Sequence, residues 1–532
     1  MIARSHKSIV NPRPSDPSLT IAVGLRQYLR RSPRPWLLLV ILSLSSLSCS
    51  TGQGTPPATI EQTSPEVTGQ LQTATALQAQ AQTLLDQGRY MEALAPGREA
   101  LLIRERILGP TSPDVATALT TLGLIHGTLI ELPQATHMLE QALAIRRSVL
   151  AKTDVLIGES LTNLGTVQYA AGDFVRAIRT LEEALAIREK ALGSSHPDVA
   201  ITLTHLAIAQ RGMSRLEQAR ASAERAVSIL QVAQHPRQRD LAMAVNVTGN
   251  ILGRLGRFET AHTMLERSVQ LYEQALGSHH PHLAGAMMQL AMLEGKQGNP
   301  TAALQLLERV LVITEQSYGR DNPEVAGTLY EIGLMELALG RHTDAERRFE
   351  RTLAIQEAKI DPAHPFIALT LVELADIRQR RGDETGARGL LERALGIQEH
   401  ALGHEHPSLA RTLTSLGYLE ARRHNLPLAE AYFDRAEHIR ERALGTNHRD
   451  VATSLIDLAR AKHALGNRRG ARETYERGRQ ILQSQQGLNL GLPDEALSLI
   501  WKKDLKGLQD YALLLADLAV DATAGPEQRT AV

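Results

Sequence analysis

Apolar residues recur along this chain with the spacing of amphipathic helices. In two successive stretches they stand three or four positions apart, which places them on one face of each helix. These residues are Ala177, Leu181, Ala184 and Ile187 in one stretch and Ala200, Leu203, Leu206 and Ala207 in the next. The pattern predicts two helices joined by a short turn, a helical hairpin.

The hairpin repeats with a period of 42 residues. An alanine stands at the same place in ten successive units: Ala93, Ala135, Ala177, Ala219, Ala261, Ala303, Ala345, Ala387, Ala429 and Ala471. Ten residues later, the units carry Ile103, Ile145, Ile187, Ile229, Leu271, Ile313, Ile355, Ile397, Ile439 and Ile481. A small residue where two helices cross allows close packing. Since one hairpin cannot bury its apolar face alone, the units are predicted to stack into an all-α solenoid in which each touches only its neighbours.

Glycine and proline mark the connections. Within the hairpin, a turn column holds Gly88, Gly172, Gly256, Gly298, Gly340, Gly382 and Gly466, with Ile130, Ser214 and His424 in the other units. A second column, predicted to end the second helix in a left-handed conformation, holds Gly109, Gly193, Gly277, Gly319, Gly403, Gly445 and Gly487. Prolines predicted to precede the next helix are Pro113, Pro197, Pro281, Pro323, Pro365 and Pro407.

These columns resemble the tetratricopeptide repeat family, in its 42-residue, kinesin-light-chain-like class. The Leu-Gly or Leu-Ala pair of the family is present as Leu122-Gly123, Leu164-Gly165, Leu206-Ala207, Leu290-Ala291, Leu416-Gly417 and Leu458-Ala459. The resemblance implies a right-handed superhelical solenoid of about ten repeats over residues 71–487. A HEAT-type solenoid has a similar period, but the spacing from Gly88 to Ala93 favours the tetratricopeptide repeat. Residues 488–521 are predicted to form a capping helix and residues 522–532 a disordered tail.

Residues 1–48 are predicted to be a signal peptide. The apolar run 36–48 follows a basic stretch and is too short to span a bilayer, which needs about 20 apolar residues. The run is followed directly by the chain's single cysteine, Cys49. Residues 44–49 resemble the lipobox of bacterial lipoproteins, and this resemblance implies lipidation of Cys49. An ordinary cleaved secretory signal, or a true start site further downstream, stays open. The Arg30-Arg31 pair raises twin-arginine export, but the residues after it favour general secretion.

Residues 49–70 are rich in Ser, Thr, Pro and Gly, which predicts a flexible tether behind the lipid anchor. The residue after Cys49 is Ser50, whereas in the lipoprotein family an aspartate there is associated with retention at the inner membrane. The expected location is therefore an exported lipoprotein that faces the periplasm, with the outer membrane favoured.

The charge distribution and the absence of catalytic motifs restrict the classes of function that the chain can have. The chain has 58 basic and 58 acidic side chains, and residues 1–34 hold seven basic against one acidic, so the remainder is mildly acidic, which argues against nucleic acid as a partner. No phosphate-binding loop, zinc-protease motif or nucleophile elbow is present, so no catalytic residue, cofactor or enzymatic activity is expected. The histidine column His280, His364, His406 and His448 is interpreted as turn residues rather than as metal ligands.

The family resemblance places the ligand-binding surface on the concave face, formed by the first helix of each unit. The position just before the Leu-Gly or Leu-Ala pair reads Thr121, Asn163, His205, Val247, Gln289, Glu331, Glu373, Ser415 and Asp457. A basic row follows on the same helices, and apolar side chains lie between the rows. The candidate groove residues are Arg254, Met288, Met292, Lys296, Tyr330, Glu331, Leu334, Glu373, Arg380, Arg422 and Asp457.

Two classes of function fit these residues. One is an adaptor that binds a peptide segment of a partner protein in the groove. The other is a structural solenoid of an envelope assembly or secretion complex, which acts by self-association or fixed packing. Neither the partner nor the pathway is encoded in the pattern. A solvated, non-binding surface also accounts for the charges.

Overall fold

The structure is a computed structural model that describes residues 65–129, 131–233 and 237–485. The predicted signal peptide, Cys49, the capping helix and the tail lie outside these residues. The described part is all-helical and forms ten hairpins. Its helices are α1 Pro65–Asp86, α2 Tyr90–Leu108, α3 Pro113–Thr128, α4 Leu132–Val149, α5 Val155–Ala170, α6 Phe174–Leu192, α7 Pro197–Gly212, α8 Leu216–Val232, α9 Gln238–Arg254, α10 Phe258–Leu276, α11 Pro281–Lys296, α12 Pro300–Tyr318, α13 Pro323–Ala338, α14 His342–Lys359, α15 Pro365–Arg380, α16 Glu384–Leu402, α17 Leu409–Arg422, α18 Leu426–Leu444, α19 Arg449–Ala464 and α20 Arg468–Gln485.

Each odd-numbered helix packs on the even-numbered helix after it, and successive hairpins stack. This confirms the predicted solenoid of helical hairpins; we number the hairpins units 1 to 10. Helix α1 begins at Pro65, so residues 65–70 belong to the first unit rather than to the tether. Pro65 fits the first helical position, and Glu66 interacts favourably with the helix N-terminus.

The alanine column lies where the two helices of each unit cross. All ten of its members are fully buried. The glycine of the Leu-Gly pair faces it on the first helix. A Cβ atom built on Gly165 would lie 2.7 Å from Cγ of Leu181 and 3.4 Å from the carbonyl oxygen of Ala177, and one on Gly417 would lie 2.7 Å from the ring of Phe433. The small residues are therefore required by the close approach of the helices.

The turn glycines have positive φ, from 73° at Gly340 to 86° at Gly298, and Ser214 and His424 take the same conformation at 58° and 60°. The helix-ending glycines from Gly109 to Gly445 have φ near 80° but an extended ψ, as in Gly193 with 87° and 154°, and Gly487 lies outside the described residues. Only glycine occupies this region readily. The expected positive φ is confirmed, and the local conformation is extended rather than left-handed helical. Pro407 precedes α17, which begins two residues later.

The even-numbered helices carry a regular series of ion pairs between units, which we call the ion-pair ladder. Each rung joins residues 36 positions apart, at N–O distances of 2.6 to 3.0 Å for the six that follow. These rungs are Arg147–Glu183, Glu189–Arg225, Glu273–Arg309, Glu315–Arg351, Glu357–Arg393 and Glu399–Arg435. A seventh joins Glu441 to Arg477. Each pair is partly exposed, so one rung contributes only about 0.2 to 1 kcal/mol to stability.

The turn of unit 1 contacts units 5 and 6, far along the chain. The Nε2 of His280 donates to the backbone carbonyl of Asp86 at 2.9 Å, and Arg239 Nη1 lies 3.6 Å from the Asp86 carboxylate. The rings of Tyr90 and Tyr318 pack with centroids 6.0 Å apart, and Tyr90 is buried. We call these five residues, Asp86, Tyr90, Arg239, His280 and Tyr318, the clasp. The expectation that units touch only their neighbours is therefore incomplete, because the array between units 1 and 6 curls back on itself.

Among the described helices, none combines the length and the apolar character needed to cross a bilayer.

Candidate functional site

Most residues of the first helices of units 2 to 5 are buried, and the exposed ones lie at the helix ends. At the predicted groove position, Asn163 and His205 are buried, and within the described residues their polar side-chain atoms have no hydrogen-bond partner. Burial lowers the pKa of His205 to about 4, so this imidazole is neutral at pH 7. We call the face formed by the first helices of the units the inner face. In units 2 to 5 this face is buried by packing, so the predicted groove position is not accessible there.

The inner face becomes more polar and accessible further along the chain, around α13, α15 and α17. The hydroxyl of Tyr330 donates to Glu373 Oε1 at 3.0 Å, and Arg411 Nη1 lies 2.7 Å from the same oxygen. Glu373 is 2% exposed. The partly exposed Arg411 and the buried Tyr330 therefore fix this carboxylate in place, and Glu373 links three consecutive units.

Glu331 is partly exposed, and within the described residues its carboxylate makes no ion pair or side-chain hydrogen bond. Burial, with a smaller contribution from the negative charge of Glu373, raises its pKa to about 7 against the opposing effect of Lys296. The side chain of Lys296 is exposed. Glu331 is thus a carboxylate at the groove surface, near the anchored carboxylate of Glu373 and the exposed ammonium group of Lys296.

Asp457 forms a second anchored carboxylate two units later. The Tyr418 hydroxyl donates to its Oδ1 at 2.5 Å, and Arg460 lies 3.4 Å from the same oxygen. Asp457 is buried, whereas 38% of Tyr418 is exposed. A tyrosine and an arginine hold the carboxylate here too, although the spacing between tyrosine and acid differs from that of Tyr330 and Glu373.

The basic row lies at the C-terminal ends of the first helices, and all four of its residues are exposed: Arg254, Lys296, Arg380 and Arg422. Arg380 pairs with Asp376 at 3.0 Å, and Arg422 donates to Gln379 at 2.6 Å. These arginines therefore form a polar rim.

The apolar residues of the predicted groove fall into two clusters. Met288 is buried in the core of unit 6, and Met292 packs against that core. Leu334 packs instead with Tyr330 and Phe349 in unit 7. The structure therefore brings together Lys296, Tyr330, Glu331, Leu334 and Glu373, while Arg254, Met288 and Asp457 lie apart from this set.

The histidine column lies where helices begin: His196, His280, His364 and His448 are N-caps, and His406 lies three residues before the start of α17. Nδ1 accepts the backbone N–H two residues later, at 3.1 to 3.2 Å, in His196, His280, His364, His406 and His448. Ser112, Asp154 and Asn322 do the same at the equivalent place in other units. The alternation of histidine with these typical N-cap residues was the signal for this role in the sequence. Within the described residues, no group of three potential ligands could hold a metal ion.

These features define a class of protein: a tandem array of helical hairpins with a polar inner face. The profile of the tetratricopeptide repeat family matches residues 72–148, 156–231, 240–311, 283–358, 366–437 and 415–484, which together make up more than half of the chain. The protein belongs to the tetratricopeptide repeat family. Proteins of this family generally act as non-enzymatic protein-interaction scaffolds. No curated protein matches the sequence.

Solved structures of other proteins are similar in fold over parts of the chain. A putative kinesin light chain from Podosopora anserina, with nearly identical TPR-like repeats, is 27% identical over 38% of this chain and 96% of its own, with a TM-score of 0.33. BtubC (BKLC) from P. vanneervenii is 18% identical over 43% of this chain and 92% of its own, with a TM-score of 0.39. The apo form of the quorum sensor NprR from B. thuringiensis is 14% identical over 71% of this chain and 99% of its own, with a TM-score of 0.51.

Proposed function

We propose that this protein is a non-enzymatic adaptor that binds an extended peptide segment of a partner protein at the inner face around unit 7. The observation that carries the proposal is Glu331. Its pKa of about 7 means that ionising it near neutral pH costs folding free energy, and within the described residues no ion pair offsets that cost. A cationic group from a partner would supply the missing interaction.

The neighbours of Glu331 define the peptide chemistry. Glu373 already forms an ion pair with Arg411, so Glu331 is the carboxylate available to a lysine or arginine side chain. Leu334 and Met335 are partly exposed on the same helix and offer apolar contact beside it. A segment with one basic residue flanked by apolar residues matches this surface.

The binding test uses the full chain and a displayed library of random peptides. Peptides enriched on the parent chain are expected to contain a basic residue at one fixed position. Binding measured by fluorescence anisotropy should strengthen as the pH rises from about 6 to about 8, because Glu331 becomes ionised through its pKa of about 7. Glu331→Gln should weaken binding about ten-fold at the higher pH and remove the pH dependence, a loss of about 1.4 kcal/mol.

The control is Glu350→Gln, which removes an exposed carboxylate from α14. It should leave both affinity and pH dependence unchanged. If no peptide is enriched, or if Glu331→Gln binds with the parent's pH profile, the adaptor proposal fails. Self-association of parent and variant alike would instead support a structural solenoid.

We also propose that the array is held at the bacterial envelope, facing the periplasm, by lipidation of Cys49. The apolar run before this single cysteine supports the proposal. Metabolic labelling with a radioactive fatty acid should label the chain, which should fractionate with membranes, preferably the outer membrane. Cys49→Ser should lose the label and leave the membrane fraction; a variant that stays with the membranes would contradict anchoring at this cysteine.

A further inference from the structure

A groove separate from the proposed peptide site lies between α4 and α6. Even-numbered helices pack on the odd-numbered helices beside them, so a gap opens between α4 and α6 with α5 as its floor. The resulting cavity has a volume of about 450 Å³. This is within the usual range of ligand pockets, about 300 to 1,000 Å³. We call it the basic groove.

The basic groove is where the ion-pair ladder reverses its polarity. In the five rungs from Glu189–Arg225 to Glu399–Arg435, the acidic residue belongs to the earlier unit and the arginine to the later one. In the rung Arg147–Glu183 the arginine belongs to the earlier unit instead. Arg147 therefore lines the groove at a position where Glu189 and Glu273 stand in later units.

Two further arginines line the opposite wall. Arg176 and Arg179 on α6 are both exposed. Arg176 lies 3.4 Å from Glu140, the single acidic residue among those that line the cavity, and 4.0 Å from Asp173 outside it. Within the described residues, Arg179 makes no ion pair. The lining thus carries three guanidinium groups against one carboxylate. Glu183 from outside the lining pairs with Arg147, and Glu140 and Asp173 pair with Arg176, so Arg179 is the cation left for a ligand.

The floor of the groove is apolar. Leu161 and Leu164 of α5 form it together with Leu143 of α4, and each of these side chains is at most 6% exposed. Gln168 and Thr180 are hydrogen-bonded to each other at 2.8 Å on one side. Basic walls around an apolar floor complement a chain segment that alternates acidic and apolar side chains.

We infer that the basic groove is a second protein-interaction surface, which binds an extended acidic–apolar peptide segment of a partner. A protein segment fits better than a nucleic acid, because the leucine floor offers no hydrogen bonds to bases or sugars and the body of the chain is acidic. The inference does not depend on the Glu331 site, since the two surfaces involve different units and attract opposite charges.

The test uses the full chain and a fluorescein-labelled peptide of alternating Glu and Leu residues, with alternating Lys–Leu and Glu–Ser peptides as comparisons. The Glu–Leu peptide is expected to bind at least ten-fold more tightly than either comparison peptide in anisotropy titrations. Arg179→Glu should weaken this binding at least ten-fold. The matched control is Arg347→Glu, at the same repeat position in unit 7, which should change affinity less than about two-fold.

A charge swap separates binding from stability. The double variant Arg147→Glu, Glu183→Arg keeps the ion pair but gives this rung the polarity of the later ones. It should weaken peptide binding at least three-fold while leaving the melting temperature unchanged. The inference is overturned if Arg179→Glu binds like the parent, or if the Glu–Ser peptide or a single-stranded oligonucleotide binds as tightly as the Glu–Leu peptide.

Discussion

Lowering the pH from about 7.5 to about 5 should cost the protein about 3 kcal/mol of its free energy of unfolding through three turn histidines, His280, His364 and His406. Each of them needs an unprotonated Nδ1, because this atom accepts a backbone N–H. Loss of such a side-chain cap costs about 0.5 to 2 kcal/mol. Protonation thus removes these hydrogen bonds at the starts of α11 and α15 and in the turn before α17 over one pH range.

The direction of the effect follows from the pKa shifts. Burial lowers the pKa of His280, His364 and His406 below their ordinary value of 6.5. The unfolded chain therefore takes up protons first, so these three contribute stability that is fully present above about pH 6.5 and is lost as the pH falls towards their folded pKa values. The raised pKa values of Asp240 and Glu331 act in the opposite direction, so the caps must be isolated by substitution.

Urea unfolding at both pH values provides the measurement. A variant with asparagine at all three positions should keep these hydrogen bonds at either pH, because an amide oxygen accepts the same hydrogen bond without titrating. Its loss of stability at low pH should be smaller than the parent's by about 3 kcal/mol. The control replaces the exposed, non-capping His400 and His438 by asparagine. An equal loss in the parent and in the three-asparagine variant would rule out these histidines as the cause.

Replacing Ala303 by leucine should lower the free energy of unfolding by about 1 to 3 kcal/mol. Ala303 is fully buried in a core with Leu307 and Val310, where α11 and α12 cross. A larger side chain must push the two helices apart. Thermal melts should show the loss, and Val312→Leu, at a 51% exposed position of the same helix, should melt like the parent. An unchanged melting temperature for Ala303→Leu would refute close packing at this column.

The repeating columns could be predicted because their causes are local. An alanine at a helix crossing or a glycine at a positive φ has the same role in every unit, so ten copies of one pattern identify it. The ion-pair ladder could have been found in the same way, since its partners stand 36 residues apart in successive units. A comparison of columns for opposite charge would have identified Arg147–Glu183 as the reversed rung.

The clasp and the closed inner face could not be predicted in this way. They depend on small rotations between successive units, which accumulate until Asp86 meets His280. No single column of the repeat carries information about this accumulated rotation. For the same reason the family resemblance gave Asn163 and Glu331 equivalent positions, although the structure buries the first and leaves the second partly exposed.

The clasp also constrains how this gene can change in length. Tandem repeats readily gain or lose copies, and an array held by nearest-neighbour contacts tolerates such changes at many places. Here one hairpin more or less between Tyr90 and Tyr318 would displace one side of the clasp from the other. We therefore expect natural homologues that retain the clasp residues to keep the same number of hairpins between them, and to vary in copy number on the C-terminal side.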